Sequence, residues 1–144
     1  ELAGEINTSM PEYVIDRLME ALNDEKKSLK DSSVLLLGVA YKKDVDDMRE
    51  SPSLRLIQLL RERGAKVSYH DPFVPCLPAT RKYRYRMRSV PLTARNLRQA
   101  DAVLVGTDHT DVDYAKVGEY APLVVDTRNA MARAGRVKAR VIRA

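Results

Sequence analysis

From Val34 to Ala40 every position is apolar apart from one glycine, with no alternation inside the run. A run of that length bounded by polar residues predicts a strand buried on both faces. Ser51-Pro52 then opens a helix whose apolar positions are Leu54, Leu56, Ile57, Leu59 and Leu60, and Gly64 suits the residue just past its end. Lys66 to His70 predicts a second strand, stopped by Asp71-Pro72. Leu92 to Gln99 predicts a short helix, Ala102 to Thr107 a third strand, Val112 to Glu119 another short helix and Leu123 to Thr127 a fourth strand. Strand and helix alternate and the strands need cover on both sides. The expected fold class is therefore α/β, three-layered, with a mainly parallel sheet.

A further helix precedes this unit. Ser9 suits an N-cap, Glu12 stands at the capping-box position and Pro11 is tolerated in a first turn, so the pattern predicts a helix from about Ser9 to Leu29. Val14, Leu18, Ala21 and Leu22 share one face, while Asp16, Arg17, Glu20 and Asn23 fall elsewhere, as in a helix packed along one stripe. The expected division is a connecting helix within residues 1–30 and a domain over 31–144. The chain opens on Glu1, inside what reads as a helix already under way, and is expected to be a piece of a longer protein.

At 144 residues, 44% hydrophobic and 31% charged, the chain supports one ordinary core rather than two full domains. Its apolar runs fall far below the roughly 20 residues of a membrane span, and no secretory signal pattern is evident. The single cysteine, Cys76, excludes an internal disulfide and a cysteine-based zinc cluster, so a reducing compartment is expected and the cytoplasm is the default. The net charge of +5 is unevenly spread. Seven basic residues and no acid lie between Arg81 and Arg98, and six basic residues and no acid between Arg128 and Arg143. Within the first block Tyr83, Tyr85 and Met87 alternate with Lys82, Arg84, Arg86 and Arg88, the pattern of an exposed edge strand or a long loop. A basic stretch interleaved with tyrosines is also a nucleic-acid signal, though no further nucleic-acid motif accompanies it.

In an open parallel sheet, ligands bind beyond the carboxyl ends of the strands. That rule selects the segment from Tyr41 to Glu50, then Thr107-Asp108-His109, then Arg128-Asn129. Lys42 and Arg128 would face one crevice, and two cations on one rim suit a phosphate or diphosphate. The first turn is not a dinucleotide fingerprint: Gly38 is present, but Ala40 and Lys43 stand where the second and third glycines belong. Asp44, Asp46 and Asp47 can be read as a metal site or an acid/base pair. With Lys42, Lys43 and Arg49 among them, ion pairs and turn hydrogen bonds that hold the loop are favoured. Cys76 has no neighbouring group to lower its pKa, His70 and His109 stand alone, and no Ser-His-Asp or metal-ligand spacing occurs.

The block Leu37-Gly38-Val39-Ala40-Tyr41-Lys42-Lys43-Asp44-Val45-Asp46-Asp47-Met48-Arg49-Glu50-Ser51-Pro52 resembles the C-terminal domain of the UDP-glucose/GDP-mannose dehydrogenase family. The match continues through Gly64-Ala65-Lys66-Val67, Tyr69-His70-Asp71-Pro72, Ala100-Asp101-Ala102 and Val125-Asp126-Thr127-Arg128-Asn129. Ala40-Tyr41-Lys42, Thr107-Asp108-His109 with Asp113-Tyr114, and Asp126 to Asn129 look most like the bacterial branch acting on UDP-N-acetylhexosamines. The resemblance implies a Rossmann-like domain that grips the nucleotide of a UDP-sugar. It also implies an enzyme, a homo-oligomer in its full length, that oxidises the C6 alcohol to a carboxylate in two hydride transfers to NAD. The NAD would be bound mainly by an N-terminal domain that this sequence does not contain, and residues 1–30 would end the connecting helix of the central domain. Tyr41, Lys42 and Arg128 match substrate-binding positions and Arg49 one that reaches the cofactor, while the cysteine nucleophile's Gly-Gly-x-Cys-x-Pro motif is absent. No catalytic or metal-binding residue is expected in this chain, and the fragment alone is expected to be inactive. No nucleic acid or membrane partner is expected. The alternatives are a UDP-glucose or GDP-mannose 6-dehydrogenase domain, or a basic non-enzymatic module for nucleic acid. The stretch from Arg81 to Arg88 and the basic tail after Arg136 depart from the family pattern.

Overall fold

The computed structural model describes residues 2–46, 48, 51–79, 83 and 85–144, with side chains described from Met10 onward. Its elements are α1 (Leu2–Asp24), β1 (Ser33–Leu37), α2 (Pro52–Glu62), β2 (Lys66–His70), α3 (Ala94–Gln99), β3 (Ala102–Val105), α4 (Tyr114–Tyr120), β4 (Leu123–Asp126), a 3-10 turn at Ala130–Ala134 and β5 (Arg140–Arg143). The strands form one sheet in the order β2-β1-β3-β4-β5, every neighbouring pair parallel.

Consecutive side chains of a strand point to opposite faces, and here both faces are dry. Val34 and Leu36 of β1, Ala102 and Leu104 of β3, and Leu123 and Val125 of β4 join a core with α1 and α2. Leu35, Leu37, Val103, Val105 and Val124 join a second core with α3, α4 and the 3-10 turn. The unbroken apolar strands of the sequence are the signature of this double burial. α2 is held at its start by Ser51, whose hydroxyl accepts the Ser53 N–H and donates to the Val39 carbonyl at 2.6 Å. Gly64, at φ +83°, closes its other end.

The first helix differs from the expectation at both ends. It runs unbroken from Leu2 through Pro11, so Ser9 is not its cap and Pro11 lies in its interior, where the missing N–H leaves the carbonyl four residues earlier without its helical partner. It stops at Asp24 rather than near Leu29, in a Schellman turn: Lys26 adopts φ +60°, its N–H bonds the Asn23 carbonyl and the Lys27 N–H bonds the Leu22 carbonyl. A lysine at a position that favours glycine conceals that stop from a sequence reading.

The sheet also has a strand that the apolar pattern did not reveal. Arg140–Arg143 pairs with β4, and the Arg140 guanidinium reaches the last turn of α1, bonding the Ala21 carbonyl, Asp24 at 2.8 Å and Glu25 at 3.5 Å. α1 has no basic residue of its own in that turn, so Arg140 supplies the cation that a helix C-terminus favours. The preceding residues cross α4 at Gly118, whose carbonyl accepts the N–H groups of Lys138 and Ala139; a Cβ there would lie 2.6 Å from the Val137 Cβ.

The described residues of the tyrosine-interleaved stretch form a loop rather than a strand, and their alternation is nonetheless real. Tyr83, Tyr85 and Met87 are partly buried against the first core, while Arg86 and Arg88 are exposed. Arg81, Lys82 and Arg84 lie outside the described residues. The end of the loop turns back along Pro75–Leu77 and bridges Tyr69 to Ser89, covering part of the free edge of β2.

Candidate functional site

The strand order reverses direction between β1 and β3, the place where an open α/β sheet offers a crevice beyond its strand ends. The cleft there measures about 640 Å³. Its rim carries Tyr41 and Lys42 after β1, Gly106 after β3, and Thr127 and Arg128 after β4; Met10, Pro11 and Val14 of α1 and Leu56 of α2 form an apolar wall. Pro52 brings the first turn of α2 to the same opening, which adds the positive end of a helix dipole. None of the described residues lining the cleft is acidic. The structure thus brings together Tyr41, Lys42 and Arg128. Arg49 lies outside the described residues, as does Asp47.

The turn after β1 is fixed by its neighbours rather than by glycine-phosphate approach. Gly38 adopts φ +84°, and a Cβ on it would lie 2.7 Å from the Thr107 Cβ and 2.9 Å from the Thr107 nitrogen. Gly106 lies equally close to the Gly38 carbonyl, at 2.7 Å from an added Cβ. Both glycines are spent on bringing the loops after β1 and β3 into contact. The Thr107 hydroxyl then donates to the Ala40 carbonyl at 2.6 Å.

Asp71, at the end of β2 and almost fully buried, reaches under the same turn. Its Oδ2 accepts the N–H groups of Val39 at 2.8 Å and Ala40 at 3.2 Å, and its Oδ1 that of Phe73 at 2.8 Å. The same Oδ2 lies 2.8 Å from Nε2 of His109, which is fully buried against Phe73. His109 Nδ1 accepts the N–H of Asp44 at 2.7 Å, so this nitrogen carries a lone pair and the proton sits on Nε2, facing Asp71. Burial alone would raise the Asp71 pKa, but the hydrogen bonds from His109, Val39 and Phe73 outweigh it and hold the carboxyl below its ordinary value. Asp44, at φ +62°, accepts the N–H of Thr110 at 2.7 Å and its hydroxyl at 2.6 Å; these bonds, the hydroxyl's foremost, lower its pKa.

On the far side, Asp126 organises the turn that presents Arg128. Its Oδ1 accepts the N–H groups of Arg128 and Ala130 and its Oδ2 that of Met131, while Asn129 takes the left-handed conformation. Asp44 holds its loop as expected, though through Thr110 rather than a lysine or arginine. His109 lies in a segment that the strand-end rule selects but stands alone in the sequence, and Asp71 is read there only as the stop of a strand, so neither is expected as a site residue. The only signal for them was position, since both follow strand ends. Cys76 is exposed on the loop beside β2, paired in an isolated bridge with Arg88. No group of acidic, histidine or cysteine side chains suited to a metal ion occurs among the described residues, and no described helix is long and apolar enough to cross a membrane.

Fold and cleft together define a doubly wound α/β nucleotide-binding domain. The family model for the UDP-binding domain of the UDP-glucose/GDP-mannose dehydrogenase family matches residues 35–133, and the chain belongs to that family. It is 32% identical over 135 residues to a UDP-N-acetyl-D-mannosamine dehydrogenase of Methanococcus maripaludis, covering 88% of this chain and 29% of that protein. It is 27% identical to an NDP-N-acetyl-D-galactosaminuronic acid dehydrogenase of Ralstonia solanacearum, covering 88% of this chain and 28% of that protein. The structure of a UDP-D-ManNAc dehydrogenase from Pyrococcus horikoshii superposes with a TM-score of 0.75 at 26% identity, over 99% of this chain and 32% of that one. The chain therefore spans less than a third of the relatives it matches.

Proposed function

We propose that this chain grips the nucleotide diphosphate of a UDP-sugar on behalf of an NAD-dependent 6-dehydrogenase. The observation that carries the reading is a cleft lined by both Lys42 and Arg128 beside an apolar wall, with no acid among the described residues that line it. Both cations would make charge-assisted bonds to phosphate oxygens, the α2 N-terminus would add its dipole, and Tyr41 with the α1 wall would border the apolar part of the ligand. UDP-N-acetylhexosamine is the favoured substrate class, supported by the N-acetylmannosamine and N-acetylgalactosaminuronic acid relatives. UDP-glucose and GDP-mannose are the alternatives within the family.

NAD would accept the hydrides. The turn after β1 does not build a dinucleotide cradle, because Gly38 and Gly106 are closed against each other's loops. NAD would accordingly be held mainly by another domain of the longer protein, with Arg49 reaching it across the cleft and α1 continuing the connecting helix within residues 1–30. No nucleophile motif is present, so the chain alone does not turn over. A homo-oligomer in the cytoplasm is the expected setting of the whole enzyme.

The nucleic-acid reading is disfavoured by the tyrosines it needs. Tyr83 and Tyr85 are partly buried and stacked on each other at 5.9 Å, and the Arg61 guanidinium lies 4.7 Å over the Tyr85 ring. Titration of the chain with UDP and with a random oligonucleotide at low and moderate salt tests the assignment. UDP binding that survives added salt supports it; oligonucleotide binding that collapses with salt, without UDP binding, overturns it.

A further inference from the structure

Tyr41, Lys42 and Lys43 are all exposed, and the backbone they ride on is fastened at each end to one buried pair. On the near side the N–H groups of Val39 and Ala40 point to Asp71; on the far side the N–H of Asp44 points to His109; and Asp71 and His109 are bonded to each other at 2.8 Å. We infer that the buried Asp71–His109 pair is the positioning device of the nucleotide-gripping loop, with His109 acting through its Nδ1 lone pair on Asp44 to set where Tyr41 and Lys42 stand. The inference rests on the assignment of the cleft to a nucleoside diphosphate.

The two ring nitrogens have separate duties. Nε2–H ties His109 to β2's end through Asp71, and Nδ1 ties it to the loop. The pair is inaccessible, with neither side chain exposed, so it does not touch the ligand. Asp44 is gripped twice, by His109 through its backbone and by Thr110 through its carboxylate, on a left-handed backbone. Among the described residues the charged groups facing the pair are Asp44, 4.0 Å from Nδ1, and Asp71 itself, while Phe73 lies tilted against the ring and the Tyr114 hydroxyl donates to the His109 carbonyl. Among the described residues His109 thus reaches the loop in two ways, directly through the Asp44 N–H and indirectly through Asp71 to the N–H groups of Val39 and Ala40, and only the direct one depends on Nδ1.

Two substitutions separate the duties. His109→Asn can place a carbonyl oxygen where Nδ1 was and keep an acceptor for Asp44, but it gives up Asp71. His109→Gln can reach Asp71 with its amide nitrogen and leaves the Asp44 N–H without an acceptor. Both are expected to melt earlier than the parent, since each loses one buried bond. In His109→Gln the Asp44 amide should exchange with solvent much faster, and UDP affinity should fall about tenfold; in His109→Asn affinity should stay within about threefold of the parent. Equal losses of UDP affinity in the two variants, or an unchanged Asp44 exchange rate in His109→Gln, would overturn the inference. Should either variant fail to fold, Thr110→Val, an exposed change that removes one grip on Asp44, decides in its place: faster exchange at Asp44 with weakened UDP binding supports the inference and no change in either overturns it. Exchange at Asp44 is read without ligand. A parent chain that does not bind UDP therefore defeats the functional assignment, while the exchange rates still judge the fastening.

Discussion

Gly38 and Thr107 are in contact across the β1–β3 boundary so closely that no side chain fits between them: an added Cβ would lie within 2.7 Å of the Thr107 Cβ, on a backbone at φ +84°. Gly38→Ala therefore combines left-handed strain with collision against backbone and is expected to cost about 3 kcal/mol or more. Gly64→Ala is the matched control. It shares the positive φ, but its nearest neighbour is the flexible side chain of Lys30 at 3.0 Å, and about 1 kcal/mol is expected. Urea midpoints of the two variants measure the difference, and equal losses would mean that the Thr107 contact yields.

Lys42→Ala and Arg128→Ala each remove one cation from the cleft rim. Both residues are exposed, so melting temperature should stay unchanged while UDP affinity drops about tenfold for each, the scale of one charged hydrogen bond. Calorimetry on the two variants and their combination is the measurement. UDP affinity equal to that of the parent in both would remove the nucleotide from this cleft.

Acid should loosen the fold through Asp71. Its folded pKa lies below the ordinary 3.8, so its stabilisation is complete above that value and is lost as pH falls through the lower folded value. Asp101, bonded to the Ser33 N–H and Lys27, is lowered as well and contributes in the same direction. Melting temperatures recorded from about pH 5 downward should decline, and Asp71→Asn should lie lower at neutral pH with a shallower acid slope. Parallel curves for parent and variant would show that another group carries the acid dependence.

Arg140 ties the last strand to the end of α1. Arg140→Ala should lower the melting temperature, and the deficit should shrink in high salt because its carboxylate partners are exposed. Lys138→Ala removes a more exposed pair with Glu119 and should leave the melting temperature unchanged. Thermal melts of both at two salt concentrations compare them.

These residues also mark what could be read from the chain in one dimension. β1, β3 and β4 were legible because burial on both faces forces three or more successive apolar residues. β5 was not, because an edge strand of Arg-Val-Ile-Arg needs only two, and its identity lies in pairing with β4 and in a guanidinium that reaches a helix 116 residues earlier. The end of α1 was hidden by a lysine doing a glycine's work. Lys42 and Arg128 could be paired in advance because strand ends converge by rule. His109 could not, since its partners stand 38 and 65 residues away and nothing local to it differs from a stray histidine.

Between β1, whose loop carries Lys42, and β4, whose loop carries Arg128, lies one strand, β3. The feet of the two loops are thus two strand spacings apart, roughly 10 Å, a length fixed by backbone hydrogen bonds rather than by side chains. The sheet acts as a gauge block: it sets the separation of the two loop feet before any ligand arrives, and no single side-chain replacement resets it. From those fixed starting points the long side chains of Lys42 and Arg128 cover the remaining distance, so the sheet decides where the two cations are rooted and their stems decide how near they come.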